Sequence, residues 1–171
     1  MRLVLVAPPR ELPVTLAQAK VQCRVDSDED DLLIQDYLDA AVSHLDGYYG
    51  VLGRCLVTQT WRADVTAVGE RLHLPFPDCT VTEVIHTDVL AGDVAWRWHE
   101  SLARPAIVPL GGWGRPASVT FTAGFGLPHA VPHALKQAIL LLVARWYDDR
   151  AVGAIPDGFD DLVFPFRVRR L

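Results

Sequence analysis

The spacing of hydrophobic residues predicts three helices. Thr15-Leu-Ala-Gln18 has the form of a capping box and predicts a short helix over about 15–25. Apolar residues then recur every three or four positions, which predicts a second helix over about 28–50 with one buried stripe. That stripe comprises Ile34, Leu38, Ala41, Val42, Leu45 and Tyr49. We expect Ser27 or Asp28 to cap this helix and Gly50 or Gly53 to end it.

Between residues 55 and 123 the hydrophobic period changes from 3.6 to 2, which predicts strands. In Leu56–Val65 the residues Val57, Trp61 and Val65 share one face. Further short strands are predicted at 70–74, 80–87, 94–99, 105–109 and 117–123. Prolines in residues 1–14 exclude a helix there, so these residues should form a short extended arm.

The third predicted helix covers about 131–150, with Pro132 at its first position. Its centre, Ala138–Ala144, is apolar on every side, whereas a helix in a small monomer normally keeps a wet face. Two interpretations stay open: it is the central core helix, or a neighbouring subunit also covers it. The side chains that would meet a neighbour are Ile139, Leu141, Leu142 and Trp146.

These elements predict an α+β fold. An N-terminal helix pair and a long C-terminal helix would pack with a small antiparallel β-sheet in a single domain over 1–150. The tail, 151–171, is broken by glycine and proline yet is too apolar for a free linker. It either folds back on its own domain or is an extended arm that anchors in a partner. The residues available to such an arm are Phe159, Leu162, Phe164, Phe166, Arg167, Arg169 and Arg170.

The charge of the chain disfavours a general nucleic-acid binder, because the net charge is −5. Between Asp26 and Asp46 there are eight carboxylates and no lysine or arginine. This run is either a solvated helix start favoured by the helix dipole or an acidic wall that repels phosphate.

Candidate chemistry is sparse. The three cysteines are widely spaced, which is typical of packed, reduced thiols rather than of a disulfide framework or a zinc site. No nucleotide-binding loop or nucleophile elbow occurs, and His129 and His133 straddle a helix start with Pro132 between them. We therefore expect no catalytic residue, no metal and no cofactor. The apolar runs are too short for a signal peptide or a membrane span, so we expect a protein made in the cytoplasm that has no membrane partner.

Several segments, in order along most of the chain, resemble head–tail connector (adaptor) proteins of tailed phages. The N-terminal ones are Val14-Thr-Leu-Ala-Gln-Ala-Lys20, Arg24-Val-Asp26 and Asp28-Glu-Asp-Asp-Leu-Leu-Ile34. The strand segments are Leu56-Val-Thr-Gln-Thr-Trp-Arg62 and Val119-Thr-Phe-Thr-Ala-Gly-Phe-Gly126. The C-terminal ones are Val131–Ala144, Trp146-Tyr-Asp-Asp-Arg150 and Phe164-Pro-Phe-Arg-Val168.

This resemblance implies a structural protein of a virion, prophage particle or gene transfer agent. Such adaptors form a ring, usually of twelve copies, between the portal and the stopper, and they extend the channel through which DNA passes without sequence-specific binding. The C-terminal segment would then grip the portal, staying disordered until it docks. The acidic residues that would face the channel are Asp28, Glu29, Asp31, Asp36 and Asp39.

Two other classes compete with this hypothesis. One is another virion-assembly or DNA-packaging component, which the negative net charge disfavours as a DNA binder. The other is a small enzyme, whose only material would be His129, His133 and the carboxylates of Asp26–Asp31.

Overall fold

The computed structural model describes residues 1–87, 95–99, 105–110 and 114–168. The chain divides into two compact units: a β unit of residues 1–10 and 58–124, and a helical unit of residues 11–57 and 125–171. Both units contribute residues to the predicted domain over 1–150, and residues 151–171 fall in the helical unit together with residues 125–150.

The β unit contains two antiparallel sheets among its described residues, where the sequence predicted one. The first sheet has the strand order β1-β2-β7-β4, and the second has the order β3-β6-β5. The strands are β1 Arg2–Ala7, β2 Gln59–Val65, β3 Leu72–His73, β4 Cys79–His86, β5 Trp96–His99, β6 Ala106–Pro109 and β7 Ala117–Ala123. The predicted N-terminal arm is therefore partly a strand, and β1 pairs with β2 in antiparallel register.

One face of the first sheet covers the core of the β unit. Ala63 on β2 lies opposite Val119 on β7, and both side chains are fully buried. The Phe76 ring lies 5.3 Å from the Trp61 ring and 6.3 Å from the Phe121 ring, measured between centroids. The predicted alternation is confirmed for Gln59–Val65, where Trp61, Ala63 and Val65 share the inward face. The strand begins three residues later than the predicted Leu56, so Val57 lies outside it.

The helical unit is built from four described α-helices. They are α1 Leu16–Cys23, α2 Asp31–Leu45, α3 His133–Asp149 and α4 Phe159–Val163. Short 3-10 turns lie at Pro128–Ala130 and Phe164–Phe166. The predicted capping box of α1 is confirmed: the Gln18 amide donates to Thr15 Oγ1 over 3.2 Å, and the Thr15 amide donates to Gln18 Oε1 over 2.9 Å.

Helix α2 is shorter than predicted at both ends. Its cap is Asp30 rather than Ser27 or Asp28, and it ends at Leu45 rather than at Gly50 or Gly53. Asp46 turns the chain out of the helix, where its carboxylate accepts a 2.6 Å hydrogen bond from the Leu56 amide.

The chain after Asp46 folds back against the helix end. A side chain on Gly50 would meet the carbonyl oxygen of Asp46 at 2.3 Å, so only glycine fits at this approach. Tyr49, predicted to belong to the buried stripe, is 95% exposed.

Helix α3 is the central helix of its unit. It packs against α1, α2 and α4, and its residues Leu135, Ala138 and Val143 are fully buried. Pro132 occupies the cap position rather than the first helical position, and its carbonyl accepts a hydrogen bond from the Lys136 amide. Of the two interpretations of this apolar helix, the structure supports the central core helix.

Candidate functional site

The acidic start of α2 is held by a lysine from α1. Lys20 Nζ lies 2.6 Å from a carboxylate oxygen of Asp28 and 2.6 Å from one of Asp31. The hydrogen bonds to Asp28 and Asp31 raise the pKa of Lys20, and the bond from Lys20 lowers the pKa of Asp28. Two of the five carboxylates predicted to face a channel therefore share one counter-charge.

A second contact ties the start of α2 to the end of α3. The Tyr147 hydroxyl donates a short hydrogen bond to Asp30 Oδ2, and Arg150 Nη2 lies 3.5 Å from the same oxygen. The hydrogen bond from Tyr147 is the main reason why the pKa of Asp30 is lowered, and it raises the pKa of Tyr147. Asp30 thus joins two helices rather than facing solvent as a free charge.

The other predicted channel residues form an open acidic surface. Glu29, Asp36 and Asp39 are exposed, and Asp39 accepts a 3.0 Å hydrogen bond from the Gln35 side chain. Within the described ranges none of the three has an ion-pair partner, whereas Asp28 and Asp31 share Lys20. Of the five predicted channel residues, the three without an ion-pair partner in the described ranges are therefore Glu29, just before α2, and Asp36 and Asp39 within it.

The C-terminal segment packs on the helical unit. Phe159 is 1% exposed, its ring centroid lies 6.0 Å from that of His44, and Val163 is fully buried beside it. Trp146 Nε1 donates a 2.8 Å hydrogen bond to the Ala154 carbonyl, which fixes the chain between α3 and α4. The prediction of an arm that is disordered before docking is therefore wrong for this segment, because its own unit buries Phe159, one of the predicted anchors.

Backbone and aromatic contacts continue this packing to residue 168. The Val168 amide donates a 2.8 Å hydrogen bond to the Leu52 carbonyl. The Arg54 guanidinium lies 4.4 Å from the centroid of the Phe125 ring, which packs edge-on against Phe166 at 6.3 Å. This part of the tail is packed on the helical unit and is not a free linker.

The outer surface of the packed tail still offers apolar and basic groups. Phe164 is 63% exposed, and Leu162 and Phe166 are half-buried. Arg167 is half-buried and lies 2.5 Å from Asp160. Arg169 and Arg170, also predicted to bind the portal, lie outside the described residues. We call Leu162, Phe164, Phe166 and Arg167 the tail surface.

The chain is similar to known proteins over its whole length. The family model of the phage gp6-like head-tail connector protein matches residues 13–68, which contain the capped helix α1, the whole of α2 and the whole of β2. A chain in the neck of a native GTA particle, computed with C12 symmetry, is 30% identical with a TM-score of 0.74. The alignment covers 100% of this chain and 97% of that one. The chain belongs to the head-tail connector family.

Two further solved structures resemble this connector-family chain over its full length. A chain in the neck of an empty GTA particle is 28% identical with a TM-score of 0.80, and a chain in the virion of a native gene transfer agent particle is 29% identical with a TM-score of 0.79. Both alignments cover 100% of this chain and 97% of the other. No curated protein sequence matches it.

The predicted subunit interface of this connector-family chain needs correction. Ile139, Leu142 and Trp146 lie in the core of their own helical unit and are at most 2% exposed. Only Leu141 keeps part of its surface. Periodicity could not separate Ile139, Leu141 and Leu142, because every position of Ala138–Ala144 is apolar.

Reactive groups do not converge in the part of the chain that the structure describes. No three histidine, cysteine, aspartate or glutamate side chains there could hold a metal ion together. His129 lines an open groove beside Lys136 and the α1 cap. Burial raises the pKa of the Cys79 thiol to about 12. In the same residues, no helix is long and apolar enough to cross a bilayer.

Proposed function

We propose that this connector-family chain forms a ring of twelve copies at the head–tail interface of a phage-like particle. The ring would lie between the portal and the stopper and would extend the DNA channel. The proposal is supported by the full-length similarity to neck chains of gene transfer agent particles, one computed with C12 symmetry and another with C6 symmetry. The proposed role is structural and requires no catalytic group or cofactor.

The tail surface is the portal contact in this proposal. Because Phe159 and Val163 are buried, the segment is already ordered before docking and loses less conformational entropy on binding. Its exposed aromatic, Phe164, would fill a portal pocket, and Arg167, Arg169 and Arg170 would add basic contacts. Exposed aromatic and arginine side chains are the residue types that most often dominate binding energy at interfaces.

The acidic surface of α2 is the channel lining in this proposal. Backbone phosphate contacts supply most non-specific DNA affinity, so exposed carboxylates would keep passing DNA from adhering. Glu29, Asp36 and Asp39 meet this requirement, whereas Asp28 and Asp31 are partly neutralised by Lys20.

A binding assay against the portal from the same genome tests the portal contact. The substitution Phe164→Ala should lower the affinity for the portal, measured by co-sedimentation, at least tenfold. Such a loss is typical when an interface anchor is truncated. Leu127→Ala is the matched control, because Leu127 is 65% exposed on the same unit but lies outside the tail surface. Equal binding of both variants at the wild-type level would contradict the assignment of the tail surface.

A further inference from the structure

The first sheet of the β unit ends in two strands that have no outer neighbour within the described ranges. β1 pairs only with β2, and β4 pairs only with β7, so both outer edges are free. An edge strand presents a row of backbone N–H and C=O groups that can pair with another chain. Natural proteins usually protect such edges, yet Leu5 and Val6 of β1 are 41% and 53% exposed.

The two edges have the polarity needed to pair with each other. Each neighbouring pair in the order β1-β2-β7-β4 is antiparallel. β1 and β4 are therefore antiparallel to each other within one sheet. A second copy placed beside the first, with β1 next to β4, would continue the same antiparallel alternation without a break.

The side chains on the two edges also match by face. Leu3 and Leu5 lie on the core-facing side of β1, opposite Ala63 and Trp61 of β2. On β4, the register shift between Val81 and Glu83 places Val81 and Val84 on that same side of the sheet, opposite Phe121 and Val119 of β7. Pairing Leu3 with Val84 joins the two apolar rows.

The opposite face joins complementary charges. Arg2 lies on the outer side of β1, and Glu83 lies on the outer side of β4, where it is exposed. In the part of the chain that the structure describes, neither Arg2 nor Glu83 has an ion-pair partner. Arg62 and Asp64 on β2 form an ion pair with each other, with 2.9 Å between Arg62 Nε and Asp64 Oδ1. With Leu3 opposite Val84, Arg2 becomes a diagonal neighbour of Glu83, within reach of its long side chain.

We propose that β1 of one copy pairs with the free edge of β4 in the next copy, so that the sheets of neighbouring subunits join. Because the two edges are different surfaces of the same sheet, the contact is head-to-tail, and such contacts close into a ring when the rotation between copies allows it. The inference rests on the proposed ring and names the surfaces through which the copies meet.

Charge exchange at the two edges tests this pairing. Purified wild-type protein, Arg2→Glu, Glu83→Arg and the double variant are each mixed with the portal and imaged by electron microscopy. Each single variant places like charges at every contact, so ring occupancy should fall at least about fivefold, and the double variant should restore it. Glu70→Arg and Arg71→Glu, which change exposed charges of the β unit between β2 and β3, should leave occupancy unchanged.

The outcomes separate this pairing from the function on which it rests. Rings formed equally by the wild type and both single variants would overturn the β1–β4 contact and leave the connector role standing. Loss in both single variants without recovery in the double variant would also overturn it, provided that circular dichroism shows folded protein. Absence of rings with the wild-type protein would instead contradict the proposed function. Rescue by the double variant is the result that supports the pairing.

Discussion

Truncation of Phe159 measures whether the C-terminal segment is part of the folded unit. The side chain is 1% exposed and packs against His44, in a core that also contains Trp146 and Val163. Replacing a buried phenylalanine by alanine removes its transfer free energy and leaves a cavity, at a cost of about 3–5 kcal/mol. Total stabilities of domains are about 5–15 kcal/mol, so Phe159→Ala should remove a large fraction of the free energy of unfolding.

Thermal unfolding followed by circular dichroism reads this loss directly. For a chain of this size, each kcal/mol shifts Tm by about 2–4 °C, so Phe159→Ala should melt roughly 6–20 °C below the wild type. Phe164→Ala is the matched control from the same segment, since its ring is 63% exposed and its removal should change stability by less than about 0.5 kcal/mol. Wild-type melting of Phe159→Ala would refute the packed tail and restore the disordered docking arm.

Three further predictions follow from the charges and thiols. The pKa of Asp30 is lowered, so its contribution to stability is present above its ordinary pKa of 3.8 and is lost as pH falls through the folded value. Between about pH 5 and 3, wild-type Tm should therefore fall more steeply than that of Asp30→Asn, and parallel curves would contradict the Tyr147 contact. Lys20→Met should raise the pKa of Asp28 towards 3.8 in a carboxyl NMR titration, and an unchanged value would exclude the Lys20 bridge. Cys79, with a pKa of about 12, should react with a disulfide reagent at pH 8 roughly 40-fold more slowly than the unfolded thiol. The reason is its smaller thiolate fraction, which the higher nucleophilicity of its thiolate offsets only in part. Equal rates would contradict its burial.

Short-range patterns in the sequence predicted much of the fold. The capping box at Thr15 and Gln18 needs only residues three positions apart, and the structure has it as predicted. The alternation in β2 and β7 likewise reports which residues of a strand share a face, and Ala63, Val119 and Phe121 are buried. The α+β class follows from these short-range patterns.

The features of the fold that the sequence did not predict depend on contacts between residues far apart in the chain. Hydrophobic periodicity gives no information about such contacts. Helix α2 ends where the Asp46 carboxylate accepts a hydrogen bond from the Leu56 amide. The chain between these residues folds back on the helix end, and a helical pattern does not predict this. Residues 26–46 contain no lysine, which suggested that their carboxylates lack a counter-charge. Lys20 of α1 nevertheless pairs with Asp28. The split into two sheets is a matter of strand pairing, which alternation alone leaves open.

The tail shows the same limit for the candidate site. Its composition predicted aromatic anchors but could not tell an anchor in a partner from an anchor in the subunit itself. Phe159 serves the subunit, whereas Phe164 remains exposed. Only the three-dimensional packing around His44 and Trp146 separates the two roles.

Electron microscopy of the purified protein mixed with the portal from the same genome tests the central claim most directly. We expect a new ring of density on the portal with twelvefold symmetry, built from copies of this chain. Bare portals beside a protein shown to be folded by circular dichroism would contradict it.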